Sequence, residues 1–271
     1  MKKAFTITEL LVAMGLLAAV LAGAGMVFHY SVDAQRTASA TSEIMRNLRA
    51  ITDQINADFE GICVEAPLGL YYNDSNGVRA DRIVLFSTGD FRTTRQYDDE
   101  TVAGNVARIF YGQSVFLSNI CPDPLSSTEE DRREKILVRK QIILTPDSTL
   151  TISNPDPPDN DPYEYKTTSL ADEITFYVLE GGQAKYDWGI RPEVDPNNKE
   201  DIPMFLARGV DDFTIQADAN DRFDPNDVLN WVDADKLDRY PNAIKFTFTL
   251  YDSKGIIEGG RRFTHIVYIG D

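Results

Sequence analysis

Few residues in this chain are candidates for catalysis, metal binding or covalent pairing. The first candidate is a carboxylate. Glu9 is the only acid before Asp33, and it directly precedes a long apolar run, Leu10 to Phe28. A charge at the start of a membrane segment costs about 2–3 kcal/mol, so it needs a partner or a function. The chain has only two histidines and none of the GxSxG, HExxH or phosphate-binding glycine motifs. The sequence therefore predicts no enzyme.

A second group is an acidic segment whose oxygen-bearing side chains stand at short spacings. Such spacings suit calcium, which takes six to eight oxygen ligands. The candidate ligands are Asp218, Asn220, Asp224 and Asp227. Phe223 and Leu229 stand where a calcium-hand loop needs Gly and Glu, so the segment is not that motif. A turn stabilised by Asx caps explains the same residues. Calcium remains one of two interpretations, and no other cofactor is predicted.

The third group is the two cysteines, Cys63 and Cys121. An even count in an oxidising compartment permits one disulfide, which would tie the segment after the first helix to a segment past the first strands. Two free buried thiols are the alternative, because the sequence does not show the geometry that a disulfide requires. Neither cysteine lies in a CxxC pattern, so no thiolate metal site is predicted.

The element that positions Glu9 is a long helix. The apolar run from Leu10 to Phe28 has 19 residues, enough to cross a bilayer. Residues 29–58 contain neither Pro nor Gly, and their apolar residues recur at spacings of three and four. That apolar stripe consists of Ile44, Leu48, Ile51, Ile55 and Phe59, and the opposite, polar side carries Glu43, Arg46, Arg49, Asp53 and Asn56. Residues 5–59 thus predict one helix about 80 Å long, whose second half needs a domain to cover its stripe.

Beyond residue 60 the pattern changes to β-strands rich in β-branched and aromatic residues. The predicted strands are Arg82–Phe86, Ala107–Tyr111, Ile136–Leu144, Glu173–Val178, Asp212–Ala217, Ala243–Leu250 and Phe263–Ile269. Acidic, proline-rich loops separate some of them, notably residues 122–165. The predicted fold class is α+β, with the long N-terminal helix packed on a mainly antiparallel, β-rich domain. Its predicted parts are a leader (1–4), a transmembrane half-helix (5–28), an amphipathic half-helix (29–59) and the β-rich domain (60–271).

Net charge limits the partners. The formal net charge is −16 and the sequence pI about 4.5. Nucleic acid is therefore not an expected partner, because its phosphates would be repelled. The two lysines that precede the apolar run, Lys2 and Lys3, favour a cytoplasmic N-terminus by the positive-inside rule. The rest of the chain would then lie on the other side of the membrane.

The first residues resemble a known signal. Residues 2–13, Lys-Lys-Ala-Phe-Thr-Ile-Thr-Glu-Leu-Leu-Val-Ala, resemble the class III signal of type IV pilins and type II secretion pseudopilins. The resemblance implies cleavage between Ala4 and Phe5, methylation of the new amine, and pairing of Glu9 with the amine of a neighbouring subunit. Ala4 stands where Gly is usual in the family, and Thr8 where an aliphatic residue is usual.

Two other interpretations of the N-terminus remain open. An ordinary secretory signal would use Lys2 and Lys3 as its basic region, Leu10–Leu21 as its apolar region and Ala22-Gly23-Ala24 as its cleavage site. An uncleaved anchor helix would use the same apolar run. Neither of these alternatives gives a role to Phe5, Thr6 and Glu9 together.

Three segments near the C-terminus resemble the J-type minor pseudopilin of type II secretion. They are Leu206–Phe213, Tyr240–Leu250 and Arg261–Tyr268. The resemblance implies a subunit near the tip of a periplasmic pseudopilus, anchored in the bacterial inner membrane by one span. It implies as partners other pseudopilins or pilins, the prepilin peptidase and the inner-membrane assembly platform. Minor type IV pilins of the W class share this layout, and a membrane-anchored binding module that never polymerises is the alternative from another class.

Overall fold

The first element is one long helix. The computed structural model describes residues 6–75, 77–94, 101–115, 122–146, 164–179, 190–195, 197–199, 201–218 and 240–269. Helix α1 runs without interruption from Ile7 to Glu60, so the predicted continuous helix is confirmed. It ends at Gly61, where a side chain would overlap the carbonyl oxygen of Thr88. The backbone then turns onto the neighbouring sheet, since the Cys63 amide donates to the Phe86 carbonyl at 2.8 Å.

The larger sheet contains the first three predicted strands. Its members are β1 (Gly69–Tyr71), β4 (Arg82–Arg92), β5 (Ala103–Gln113), β6 (Ile136–Leu144), β7 (Tyr165–Lys166) and β8 (Phe205–Arg208). The order is β1–β4–β5–β6–β7, and β8 also pairs with β6. These pairings are antiparallel except that of β6 with β7. A two-stranded hairpin, β2 (Asp74–Ser75) and β3 (Val78–Arg79), and a short helix, α2 (Glu129–Glu134), lie between these strands in the chain.

The second sheet has three antiparallel strands. They are β9 (Val210–Asp218), β10 (Ala243–Leu250) and β11 (Arg261–Tyr268), in the order β11–β10–β9. The alternation of apolar and polar residues along β10 predicts a half-buried strand. The strand is more buried than that, since six of its eight residues are buried and only Lys245 and Thr249 are partly exposed. The predicted final hairpin is confirmed, and its register runs from Ala243 opposite Tyr268 to Leu250 opposite Arg261.

One predicted strand is wrong. Residues 173–178 belong to helix α3 (Leu170–Leu179) and not to a strand. The helix begins beside Ser169, whose hydroxyl accepts from the Asp172 amide at 3.1 Å, so a local N-terminal cap favours the helix over the β propensity of the residues that follow. Glu173 is buried and bonds Arg108 and Lys166 at 2.5 and 2.7 Å, which holds α3 against the sheet.

The main core lies where α1 meets both sheets. The apolar stripe of α1 is buried as predicted: Ile44, Ile51 and Ile55 are fully buried, and Leu48 is partly buried. The facing residues from the sheets include Ile83, Leu85, Ile109, Phe213, Phe246 and Phe248. A smaller core on the other face of the larger sheet includes Val84, Phe86, Phe110, Val138 and Met204. The chain is thus an α+β protein whose β-rich part is built on the second half of α1.

Because the stripe joins the helix to both sheets, shortening one of its side chains should destabilise the β-rich domain. We expect Ile51→Ala to lower the free energy of unfolding by about 2–5 kcal/mol, through lost burial and the cavity left behind. Urea unfolding of the full chain in detergent micelles, followed by near-UV circular dichroism, measures the change. The control is Asp53→Ala, an exposed residue one half-turn away, which should change stability by less than about 0.5 kcal/mol. Equal effects of the two variants would contradict the proposed packing.

Candidate functional site

The first half of α1 is uncovered in the structure. From Thr6 to Ser39 every residue is exposed except the half-buried Val32. The large apolar side chains between Ile7 and Phe28 expose 59–80% of their surface. The helix is long and apolar enough to cross a membrane. Water does not favour so much apolar surface, so lipid or other apolar helices must cover this half.

Glu9 lies in the cap at the start of this exposed half. Its Oε2 accepts from the Thr6 amide at 3.0 Å and from the Thr6 hydroxyl at 2.9 Å. The Glu9 amide donates in turn to the Thr6 hydroxyl oxygen at 3.4 Å. This reciprocal pair is a capping box, which provides partners for backbone N–H groups that the helix itself cannot satisfy. Such partners matter most in lipid, where water cannot replace them.

The cap leaves part of the carboxylate available. Both bonds from Thr6 go to Oε2, and no described residue bonds Oε1. A carboxylate has about four acceptor positions, so one group can cap its own helix and also accept a donor from another chain. Glu9 therefore has a local structural role and retains capacity for an intermolecular one.

The other predicted site residues are only partly described. Ala4 and Phe5 lie outside the described residues, as do Cys121, Asn220, Asp224 and Asp227. Cys63 is half-buried and is not paired with any described residue. Burial first, and then the nearby Glu65, raise the pKa of that thiol. The predicted bridge to Cys121 remains a prediction.

The calcium interpretation also remains untested. Asp218 is the last residue of β9, where its backbone pairs with that of Ala243. Within the described part of the chain, no group of three His, Cys, Asp or Glu side chains is arranged to hold a metal ion. The remaining three candidate ligands lie outside that part.

At its other end, α1 is fixed by a buried carboxylate. Asp58 forms a bidentate ion pair with Arg139 of β6, in which Nε donates to Oδ2 at 2.6 Å and Nη2 donates to Oδ1 at 2.7 Å. The Tyr111 hydroxyl of β5 donates to Oδ2, and Gln54 Nε2 donates to Oδ1 at 3.2 Å. Burial and the charge of Asp58 hold the pKa of Tyr111 well above its usual value, which keeps the phenol protonated as a donor.

The polar side of α1, which a residue pattern of this kind predicts to face solvent, also contacts the β-rich domain. The carboxylate of Glu43 accepts from the amide and hydroxyl of Ser253, at 3.1 and 3.2 Å. Asn56 Oδ1 lies 2.8 Å from His265 Nε2 of β11. Arg46, Arg49 and Asp53 are exposed as predicted. Polar contacts on one side and the apolar stripe on the other fix the rotation of α1 about its axis.

Two of these features were missed at the sequence level although signals for them exist. Thr6 and Glu9 have the Ser/Thr-x-x-Glu spacing of a capping box. Asp58 stands three residues after Ile55 and seven after Ile51, so it lies on the apolar stripe. An acid on a stripe that must be buried indicates a buried cationic partner. The sequence does not indicate which arginine that partner is.

Comparison of the chain with protein-family models, with curated proteins and with solved structures gives no match.

The Asp58–Arg139 contact is expected to act as a unit. Arg139→Met should lower the free energy of unfolding by about 3–5 kcal/mol, because it leaves Asp58 buried without its cation. The double variant Asp58→Asn with Arg139→Met should lose less than Arg139→Met alone, since no uncompensated charge remains. Urea unfolding of the full chain in detergent micelles gives both values.

The control for this pair is Arg49→Met, which removes an exposed arginine from α1 and should cost less than about 0.5 kcal/mol. The single variant Asp58→Asn is measured in the same way. A double variant whose loss equals the sum of the losses of Arg139→Met and Asp58→Asn would show that the two side chains are not coupled.

Proposed function

We propose that this chain is a pilin-type filament subunit, most similar to the J-type minor pseudopilin of type II secretion. The observation that carries the proposal is the division of α1 into two halves. One half is apolar and exposed on every side, and the other is packed into the core of the β-rich domain. A subunit that moves between a bilayer and a filament needs an apolar helix that either lipid or neighbouring helices can cover.

The continuity of α1 supports a mechanical role. The helix has 54 residues and no break, and its second half carries most of the α1 contacts to both sheets. A helix anchored in this way holds the domain at a fixed distance from whatever covers the apolar half. An anchor that only tethers a domain would work equally well with a flexible linker.

The start of α1 supports a pilin-type signal. Thr6 and Glu9 form the cap, so the helix begins within two residues of the proposed cleavage site between Ala4 and Phe5. In the filament, the Phe5 amine of a neighbouring subunit would donate to the Oε1 oxygen that the cap does not use. Pairing of the two charges favours the filament over lipid, because each charge alone is expensive in an apolar setting.

The proposal includes a location and partners. The helix would span the bacterial inner membrane once, with a cytoplasmic N-terminus and a periplasmic β-rich domain. The partners would be the prepilin peptidase, the inner-membrane assembly platform and other pseudopilins. The chain would be structural and not enzymatic, and it would not bind nucleic acid. The same observations fit a minor type IV pilin, and the genes beside this one in the native host would distinguish the two systems.

The first test concerns processing. We expect the mature chain in its native host to begin at Phe5 with a methylated amine, because the cap at Thr6 lets the helix begin directly after the cut. Intact-mass and N-terminal peptide analysis of the membrane fraction measure this. A mature chain that begins at Gly25 would establish the ordinary secretory signal instead, and an intact Met1 would establish the uncleaved anchor.

The second test separates the two roles of Glu9. Glu9→Gln keeps an acceptor for the capping box and removes the charge, whereas Glu9→Leu removes both. If the charge pairs with a neighbouring amine, both variants should lower recovery in crosslinked filament complexes, by about tenfold or more. Membrane insertion of Glu9→Gln should be unchanged.

The control for Glu9 is Glu60→Gln, an exposed carboxylate at the other end of α1, which should leave crosslinking at the wild-type level. If Glu9→Gln behaves like the wild type while Glu9→Leu fails, the carboxylate acts only as a helix cap, and the pairing role is lost.

A further inference from the structure

One edge of the three-stranded sheet is open. The Ile269 amide donates to the Asn242 carbonyl at 2.8 Å, in register with the β10–β11 pairing. Hydrogen-bonded pairs alternate along an antiparallel ladder, so the odd-numbered residues of β11 face β10. The even-numbered residues, Arg262, Thr264, Ile266 and Tyr268, direct their backbone groups away from the sheet. No described residue donates to or accepts from these backbone groups.

The opposite edge of the same sheet is closed. Asp81 Oδ2 accepts from the Ile215 amide at 2.8 Å, and the Asp81 amide donates to the Phe213 carbonyl at 2.8 Å. Asp81 is fully buried, and Arg79 pairs with it at 2.6 Å. Asp81 thus bonds the outward-facing backbone groups of Phe213 and Ile215 in the middle of β9, so no further strand can add at that position. Within the described part of this sheet, β11 is therefore the edge strand that offers a row of unpaired backbone N–H and C=O groups.

The open strand also exposes side chains that suit a partner. The four even-numbered side chains are exposed, and Tyr268 exposes 77% of its surface. β11 begins with Arg261 and Arg262 and contains no acid, although the chain as a whole carries a net charge of −16. Arg262 contacts Asp212 of β9 at 3.4 Å, but 64% of its side chain remains exposed. The edge thus combines cations at its start with Ile266 and Tyr268 at its end.

A second copy of this chain fits the edge poorly. β11 runs in the same general direction as α1, since Arg261 contacts Thr41 at 3.3 Å and His265 contacts Asn56 at 2.8 Å. Antiparallel pairing of two β11 strands would therefore point the two apolar half-helices in opposite directions. Two chains with their apolar halves in one membrane, entering from the same side, cannot pair that way. Two strongly acidic chains also repel each other.

We propose that the free edge of β11 is a docking site for an extended strand of another protein. That strand carries acidic residues beside Arg261 and Arg262 and apolar residues beside Ile266 and Tyr268. Main-chain hydrogen bonds supply affinity, and the alternate side chains supply specificity, as in other cases of strand addition. The inference does not need the proposed filament function, although the argument against a second copy rests on the proposed membrane insertion of α1.

A designed peptide tests the edge directly. The probe is an acetylated octapeptide that alternates valine and threonine for six residues and ends in two glutamates. Antiparallel pairing then places the glutamates beside Arg261 and Arg262. Binding to the full chain in detergent micelles is measured by fluorescence anisotropy, and hydrogen exchange locates it. We expect slower exchange within residues 261–268 on binding.

Two control peptides separate strand pairing from side-chain attraction. N-methyl groups on the third and fifth residues remove amides that would face β11, and this peptide should bind at least about tenfold more weakly. A peptide that ends in two lysines instead of two glutamates should also bind more weakly. Equal binding of the methylated peptide, or protection located outside β11, would overturn the proposal.

Variants of the chain complete the test. Arg262→Glu should weaken binding of the glutamate peptide about fivefold and strengthen binding of the lysine peptide. Arg46→Glu, the same charge change at an exposed position of α1, should affect neither. Equal effects of the two variants would show that net charge alone drives binding. Concentration-dependent self-association that the peptide competes with would assign the edge to a second copy and overturn an acidic partner.

Discussion

A buried carboxylate at the end of a 54-residue helix determines how the rest of this protein is arranged. Asp58 receives donors from two strands of the larger sheet and from its own helix, and all of them converge on one side chain. Charged hydrogen bonds of this geometry require close approach and correct orientation. Together with the apolar stripe, they fix where α1 ends and which side of it faces the core. A helix held only by apolar contacts could slide or rotate more easily.

This anchoring makes the two halves of α1 independent in function. The half that ends at Asp58 belongs to the core of the β-rich domain, and its stability is that of the domain. The apolar residues of the half that begins at Thr6 are exposed up to Phe28, so the surroundings of this half can change without unfolding the β-rich domain. Lipid and neighbouring helices are chemically equivalent covers for such a surface. The proposed transfer between bilayer and filament requires a helix half whose cover can change while the β-rich domain stays folded.

The three-stranded sheet is also asymmetric, because one of its edges is closed and the other is open. Buried Asp81 closes one of its edges from within the chain, and no described residue pairs with the backbone groups of the other edge. Proteins usually protect edges, because open edges pair with other strands. An edge that begins with two arginines repels basic strands and attracts acidic ones. The closed edge and the open edge together direct the proposed strand addition to one place.

Elements whose pattern is long and periodic can be read from the sequence alone. The helix from residue 7 to 60, its buried stripe and the final hairpin follow from local spacing of apolar residues, because burial imposes the same period on every residue of an element. Local pattern failed for residues 173–178, where the cap at Ser169 outweighed β propensity. The capping role of Glu9, by contrast, does lie in local spacing, since Thr6 and Glu9 have the Ser/Thr-x-x-Glu pattern of a capping box.

Contacts between residues far apart in the sequence are visible only in the folded structure. Asp58 and Arg139 are 81 residues apart in the chain, and Asp81 meets Ile215 across 134 residues. Nothing in local spacing encodes such contacts, because they depend on the register of one strand against another and on where the helix crosses the sheet. A shift of one residue in a register moves every side chain to the opposite face. The open edge of β11 is likewise a property of strand order, which no segment of the sequence contains by itself.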